Sequence, residues 1–272
     1  MNGNQSYLVR AGALLDPLNP ELLGPYDVAV EDGVIKEVSD RPLSFEAAQT
    51  IAAPDLTLLP GLIDLHVHFT ATQLDIFGQV RLPNSLVAAR TIPILRGLLR
   101  RGFTTVRDAA GGDIGWRQAI DSGLVAGPRL FLSGHALSQT GGHGDGRPVA
   151  DHVSTFGCEC CFRVGQLCRV VDGVDAVRRA VREELLMGAD QIKILASGGV
   201  ASPTDPIAAT GYSEDEIRAI VDEAQARDTY VLRTPTRRAP SPGQSAAEYA
   251  ASNTATLLTP KLQRWYGSMA PT

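Results

Sequence analysis

Two histidines separated by one residue are the side chains of this sequence best suited to hold a metal ion. His66 and His68 end the apolar segment Leu58–Phe69, LLPGLIDLHVHF. Side chains alternate along a β-strand, so both imidazoles project from the same face. Neutral imidazole is a common metal ligand, and a strand holds two of them rigidly. The spacing predicts a site for a divalent ion on a strand that begins near Pro60 and Gly61.

A lysine in the middle of an apolar strand is a second residue that needs a chemical partner. Lys193 lies between Ile192 and Ile194 in the segment Gln191–Gly199, QIKILASGG. Desolvation penalises the charged ammonium, so a buried lysine must be paired or neutralised. The alternative is a lysine whose side chain reaches the rim of the sheet and keeps its ammonium in water.

Strand-like and helix-like segments alternate after His68 and predict the scaffold of these side chains. The strand-like segments are Gly102–Asp108, Arg129–Gly134, Gln191–Gly199 and Thr229–Leu232. The helix-like segments are Leu86–Arg101, Ile114–Ser122, Val174–Met187 and Ser213–Arg227. The last helix begins with a capping box, Ser213 to Glu216. This repetition predicts a parallel α/β barrel with about five of the eight strands of a complete one.

Several motifs resemble the amidohydrolase superfamily, whose members are metal-dependent hydrolases built on a TIM (β/α)8 barrel. They are PGLIDLHVH, SQTGGHGD, CCFRVG, VVDGVDAVRRAVREEL, GADQIKILASGGVASPTDPI and YSEDEIRAIVDEA. Together they resemble the Xaa-Pro dipeptidase (prolidase-type) subgroup. The resemblance implies an N-terminal β-sandwich lobe at residues 1–57, where the β-rich runs YLVRA, YDVAVEDG, VIKEVSD and QTIAA occur. It also implies a partial barrel at residues 58–232.

The resemblance assigns roles to four residues of this sequence. His66 and His68 would hold one of two divalent ions, most readily Zn²⁺. Lys193 would be carboxylated by CO2, and its carbamate would bridge the two ions. His143, in the Gly-rich loop GHALSQTGGHGDGRP, would polarise the scissile carbonyl or hold the substrate. A metal-bound hydroxide would then hydrolyse the peptide bond of a dipeptide.

Composition favours a protein that acts on a small molecule. The chain of 272 residues has 44% hydrophobic residues, a formal charge of −5 and a pI near 5.6, which give no basic patch for nucleic acid. No apolar run is long enough for a membrane span. Arg10 interrupts the apolar stretch of the N-terminus, so we predict no signal peptide and expect a cytoplasmic location. The intact enzyme could also form a homo-oligomer.

Four cysteines and a further histidine lie near the proposed substrate loop. Cys158, Cys160, Cys161 and Cys168 do not have the paired spacing of a zinc knuckle, so a loop with reduced thiols is predicted. The zinc knuckle is the alternative. His135 shares the Gly-rich loop with His143 but is assigned no role.

The resemblance covers Tyr7 to about Leu232 and then stops. Relatives need a strand-five histidine, a strand-six histidine and an acidic residue after strand eight, whereas from Arg233 the sequence is rich in Pro, Ser, Arg and Ala without a period. One G inserted after the codon of Leu232 permits codons for LAHAYT and then SIEHG, the two expected histidine motifs. We therefore hypothesise that residues 233–272 are an out-of-frame tail and that this chain is truncated and inactive.

Three functions are compatible with these patterns. The first is dipeptide hydrolysis, and the second is hydrolysis of a cyclic amide, carbamate or ester on the same metal site, because a fold alone does not select the substrate. The third is a fragment without catalysis. Asp64, beside the histidine pair, is either structural or a support for the ligands.

Overall fold

A computed structural model describes residues 6–16, 21–147, 163–199, 205–206, 209–233 and 256–257 of the chain. The chain divides into two compact units between Gly61 and Leu62. Within the described part of the chain, no helix combines the length and the apolar character that crossing a membrane requires.

The N-terminal unit is built on one five-stranded sheet in its described residues. Its strands are β1 (Ser6–Leu15), β2 (Leu22–Leu23), β3 (Tyr26–Glu31), β4 (Val34–Ser39) and β5 (Gln49–Leu58). β1 pairs antiparallel with β2 and β3 and parallel with β5. Asp32 and Gly33, with φ of 52° and 76°, connect β3 to β4. This Asp-Gly pair suits a two-residue hairpin because both positions need positive φ.

The second unit alternates strands and helices as the sequence predicts. Its strands are β6 (Leu62–Val67), β7 (Phe103–Asp108), β8 (Arg129–Phe131), β9 (Ala136–Ser138), β10 (Cys168–Val170), β11 (Ile192–Ile194), β12 (Val231–Arg233) and β13 (Thr256–Leu257). Its helices are α1 (Asn84–Arg100), α2 (Ile114–Asp121), α3 (Val174–Leu186) and α4 (Glu214–Gln225). The capping box predicted at the start of α4 is present, with Ser213 and Glu216 bonded reciprocally.

The third strand of the barrel, counted from β6, is broken into two pieces, β8 and β9, which pair with different strands. β8 pairs in parallel with β7, which pairs in parallel with β6, while β9 pairs in parallel with β11 and β11 with β12. The break lies at Gly134, whose φ is 63° and whose Cβ, if present, would lie 2.2 Å from Glu184 Oε2. Only glycine suits this position. The sequence analysis placed β9 inside a loop, because three residues are too few to display a strand period.

Two helical layers cover the parallel strands. Leu95, Leu98, Trp116 and other apolar side chains of α1 and α2 pack with β7 and β8 in one buried cluster. A second cluster joins α3 and α4 to β9, β11 and β12, and its fully buried members include Val177 and Ile220. The strands are therefore shielded on the helical side, and polar side chains at their carboxyl ends are left for a site.

The described strands do not close into a complete barrel. β6 pairs only with β7 among the described strands, and its Leu62, Ile63 and Leu65 are 44%, 62% and 49% exposed. At the other edge, β13 pairs antiparallel with β12, whereas barrel neighbours are parallel. Arg233, which the sequence analysis assigned to the tail, is the last residue of β12. The other tail residues, apart from Thr256 and Leu257, lie outside the described part.

Packing between α4 and the strands yields a stability prediction. Ile220→Ala removes a fully buried side chain and should lower the free energy of unfolding by about 2–5 kcal/mol through lost burial and a residual cavity. Leu186→Ala removes a side chain of the same size that is 85% exposed and should change it by less than about 0.5 kcal/mol. Urea unfolding followed by circular dichroism measures both, and equal losses would contradict this packing.

Candidate metal centre

The structure places His66 and His68 side by side at the end of β6. Their ring centroids are 5.4 Å apart, with the ring planes at 71°. The backbone N–H of His66 donates to Asp64 Oδ1 at 3.0 Å, and His68 Nδ1 lies 3.4 Å from the carbonyl oxygen of Ala110. A carbonyl can only accept, so Nδ1 donates there and Nε2 of His68 keeps its lone pair for a ligand. Asp64 thus supports the strand that carries the pair.

Both imidazoles are held in the neutral form that metal binding requires. Desolvation, followed by the positive charge of Lys193, lowers the pKa of His66 from 6.5 to about 4. Desolvation also lowers the pKa of His68, against the opposing effect of its bond to Ala110, and the charge of Lys193 contributes again. Because Lys193 acts on both rings, the three side chains share one electrostatic environment.

Lys193 is buried inside the unit, and its amine has no hydrogen-bond partner among the described residues. It is 1% exposed, and Nζ makes no hydrogen bond to any described residue. The predicted alternative, an ammonium that reaches water at the rim, is therefore wrong. Desolvation lowers the pKa of Lys193 to about 8; the nearby Cys168 opposes this shift and Arg107 adds to it. At pH 7 about a tenth of the amine is then uncharged, far more than at the ordinary lysine pKa of 10.5.

This set of donors fits a divalent metal ion. The neutral imidazoles of His66 and His68 and the uncharged form of the Lys193 amine, whose Nζ makes no hydrogen bond to a described residue, could each supply a lone pair to such an ion. Across the described ranges, no group of three or more His, Cys, Asp and Glu side chains is arranged to hold a metal. In that part of the chain, Lys193 is therefore the candidate for a third contact beside His66 and His68.

Arg107 is a residue near the centre that the sequence analysis did not single out. Its Nε donates to the carbonyl oxygen of Leu65 at 2.7 Å, and one terminal nitrogen lies 3.2 Å from the hydroxyl of Tyr230. Its charge lowers the pKa of both His66 and Lys193. The sequence contained a signal for Arg107: an arginine within the apolar strand GFTTVRD needs hydrogen-bond partners inside the protein.

His143 is held at the carboxyl edge of β9 and β11, the edge toward which barrel active sites open. Its Nδ1 lies 3.2 Å from Asp205 Oδ2, and the backbone N–H of Gly199 donates to the same oxygen at 2.9 Å. The His143 side chain is 20% exposed and that of Asp205 is 3% exposed. Asp205 was not predicted, although it lies within the quoted motif SPTDPI.

The loop of His143 is connected to the lysine through Cys168. The backbone N–H of Gly144 donates to Ser138 Oγ at 3.0 Å, and a Cβ on Gly144 would lie 2.9 Å from Cys168 Sγ. Burial raises the pKa of the Cys168 thiol to about 12, against the opposing charge of Lys193. Cys168 is a free thiol in strand β10 and not in a loop, because its segment pairs with β9.

The remaining candidates lie apart from the centre or outside the described residues. His135 Nδ1 lies 3.0 Å from Glu184 Oε1, and the His135 backbone N–H donates to Glu184 Oε2 at 3.0 Å. Glu184 belongs to α3 and is buried. His135 therefore ties the broken third strand to the helical layer. His152 and the other three cysteines, Cys158, Cys160 and Cys161, lie outside the described residues.

Parallel strands covered by helices, with candidate ligands at their carboxyl ends, define the class of α/β-barrel proteins with a polar site. A profile of the amidohydrolase family matches residues 57–232. The chain belongs to the amidohydrolase family, whose enzymes hydrolyse amide and peptide bonds and generally use divalent metal ions. This confirms the predicted family and the predicted fold class, a TIM-type barrel with an N-terminal β-sandwich lobe.

Individual relatives are similar to this chain over roughly half of their own length. Ochratoxinase of Aspergillus niger is 33% identical over 236 residues, which are 82% of this chain and 49% of that protein. A crystal structure of an amidohydrolase is 60% identical, with a TM-score of 0.81, and the match covers 84% of this chain and 56% of that one. A prolidase complexed with N-methylphosphonate-L-proline is 54% identical, with a TM-score of 0.80 and the same coverage. The chain thus spans about half the length of these relatives.

The shifted imidazole yields a pH prediction for the metal-free chain. His66 titrates near 6.5 when unfolded and at about 4 when folded. Between these values the unfolded state binds the proton, so the free energy of unfolding should fall as the pH decreases from 6.5 to 4. NMR titration of the imidazole measures the pKa directly. His66→Gln should remove both the resonance and its share of the pH dependence, and a His66 pKa of 6 or above would contradict the assignment.

Proposed function

We propose that the protein is a binuclear zinc amidohydrolase that hydrolyses dipeptides of the Xaa-Pro type. The observation that carries this proposal is the buried amine of Lys193, which has no hydrogen-bond partner in the described part of the chain and lies in the same electrostatic environment as two neutral imidazoles. A buried polar group without a partner is costly, which favours a site that a ligand completes. The similarity to a prolidase complexed with a proline phosphonate supports the substrate class.

Lys193 would be modified before it binds the ions. Its uncharged amine attacks CO2, a nitrogen–carbon bond forms, and one proton is released to solvent, which leaves a carbamate anion. The lowered pKa of Lys193 favours this reaction because only the uncharged amine is nucleophilic. The positive charge of Arg107 would then stabilise the anion that replaces the ammonium.

His66 and His68 would hold one Zn²⁺, and the Lys193 carbamate would bridge it to a second. When bound, the ions lower the pKa of water to yield a nucleophile and polarise the substrate carbonyl. The described residues would have separate tasks: Asp64 supports the backbone at His66, the Ala110 carbonyl orients the His68 imidazole, and His143 would contact the substrate.

The domain assignment is a further part of this proposal. Residues 1–57 form the N-terminal lobe, residues 58–232 are part of the barrel, and residues 233–272 are read from a shifted frame. The codon analysis supports the shift, because one inserted base permits both LAHAYT and SIEHG. The family match, which ends at residue 232, is consistent with it. The chain as written would then lack ligands for the second ion.

Activity measurements test the substrate class. The frame-restored protein is the product translated after one G is inserted behind the codon of Leu232. Loaded with Zn²⁺ in bicarbonate buffer, it should hydrolyse Xaa-Pro dipeptides faster than lactams or esters. The 272-residue chain should be slower by about 10²-fold or more, because it lacks the proton-transferring acid. Lys193→Met, which keeps the volume but not the amine, should abolish turnover of the frame-restored protein. Turnover of lactams or esters without turnover of dipeptides would reject the dipeptidase assignment.

Sequencing of the source DNA tests the frame. We expect an additional G between the codons of Leu232 and Arg233, with a longer reading frame that contains LAHAYT and SIEHG. A sequence identical to the present one, confirmed on both strands and in the transcript, would show that the tail is genuine. The 272-residue chain would then be the natural product.

A further inference from the structure

We infer that Asp205 is a positioning residue, which fixes the His143 imidazole so that Nδ1 faces the protein and Nε2 faces the substrate. The inference rests on the proposed function, because it assigns the substrate contact to His143. It concerns a carboxylate that the sequence motifs did not identify as functional.

One carboxylate oxygen of Asp205 connects the His143 imidazole to the segment that follows β11. Asp205 Oδ2 lies 3.2 Å from His143 Nδ1 and accepts the backbone N–H of Gly199 at 2.9 Å. Gly199 follows β11, the strand that carries Lys193. The carboxylate therefore sets the place of the His143 ring relative to the strand of the candidate bridging residue.

The two glycines that follow β11 make room for this arrangement. A Cβ on Gly199 would lie 2.2 Å from His143 Cε1 and 2.5 Å from Nε2, so the ring occupies the place of a side chain. A Cβ on Gly198 would lie 2.0 Å from the carbonyl oxygen of Pro206, which follows Asp205 in the chain. Larger residues at either position would separate His143 from Asp205.

The chemistry of the pair determines the orientation of the imidazole. An ionised carboxylate only accepts hydrogen bonds, so the facing Nδ1 must carry a proton. In a neutral imidazole, Nε2 then has a free lone pair, and in the imidazolium it carries a second N–H. In both states Nε2 is the nitrogen left for the substrate. The side chain of Asp205 is 3% exposed, so little water competes for Nδ1.

NMR of the metal-free 272-residue chain, labelled with ¹⁵N-histidine, tests the inference without turnover. The chain has five histidines, and His143→Gln identifies the signal of His143. At a pH where the imidazoles are neutral, we expect His143 mainly as the Nδ1–H tautomer. In Asp205→Leu the Nε2–H tautomer should predominate, as in free histidine. Asp205→Asn keeps an acceptor oxygen and should restore much of the Nδ1–H population.

A second buried pair supplies the matched control. His135 Nδ1 faces Glu184 at 3.0 Å, so Glu184→Leu should change the tautomer of His135 and leave that of His143 unaltered. Gly199→Ala is the variant to use if Asp205→Leu fails to fold. Its Cβ should displace the ring and reduce the Nδ1–H population of His143, although Asp205 is intact.

Two results would overturn the inference. One is a wild-type His143 that populates mainly the Nε2–H tautomer, and the other is a tautomer ratio that Asp205→Leu and Gly199→Ala leave unchanged. Failure of the proposed function would be detected in a different measurement, the kinetics of the frame-restored protein. His143→Gln would then leave kcat/KM for dipeptides unaffected, whichever tautomer His143 adopts.

Discussion

The burial of the Lys193 amine constrains the chemistry of the whole candidate centre. An amine that is 1% exposed and has no hydrogen-bond partner in the described residues destabilises the folded chain unless it is uncharged or binds a ligand. Its neighbours are compatible with both outcomes, because the positive charge of Arg107 disfavours the ammonium and favours an anion in its place. The same environment keeps His66 and His68 neutral, as ligands must be.

The broken third strand brings the loop of His143 beside the strand that carries Lys193. Because Gly134 interrupts the strand, β8 stays with β7 and β9 moves to β11, the strand of Lys193. The loop after β9 can then place His143 against Gly199, just beyond β11. His135, at the break itself, is bound by Glu184 of α3 and so stabilises the discontinuity. The two histidines of this loop thus face two different buried carboxylates, Glu184 and Asp205.

The edges of the described strands limit what the chain can do alone. Leu62, Ile63 and Leu65 of β6 are exposed, and at the opposite edge β12 pairs antiparallel with β13. Unpaired strand edges and exposed apolar side chains favour association between chains. In the matched relatives, which extend to about twice the matched length, additional residues are available to cover such surfaces. This is the physical reason to treat activity and stability of the 272-residue chain separately from those of its family.

Local patterns in the sequence determined the histidine pair, the buried lysine strand and the four helices. Each depends on the period of side chains along one element, or on the unusual cost of one polar residue in an apolar run. Only the tertiary structure decided that Asp205 faces His143, 62 residues away, and that Glu184 faces His135, 49 residues away. It also decided the position of Arg107 and the division of the third strand. Contacts of this kind arise when separate elements pack together, and no periodicity within a single element encodes them.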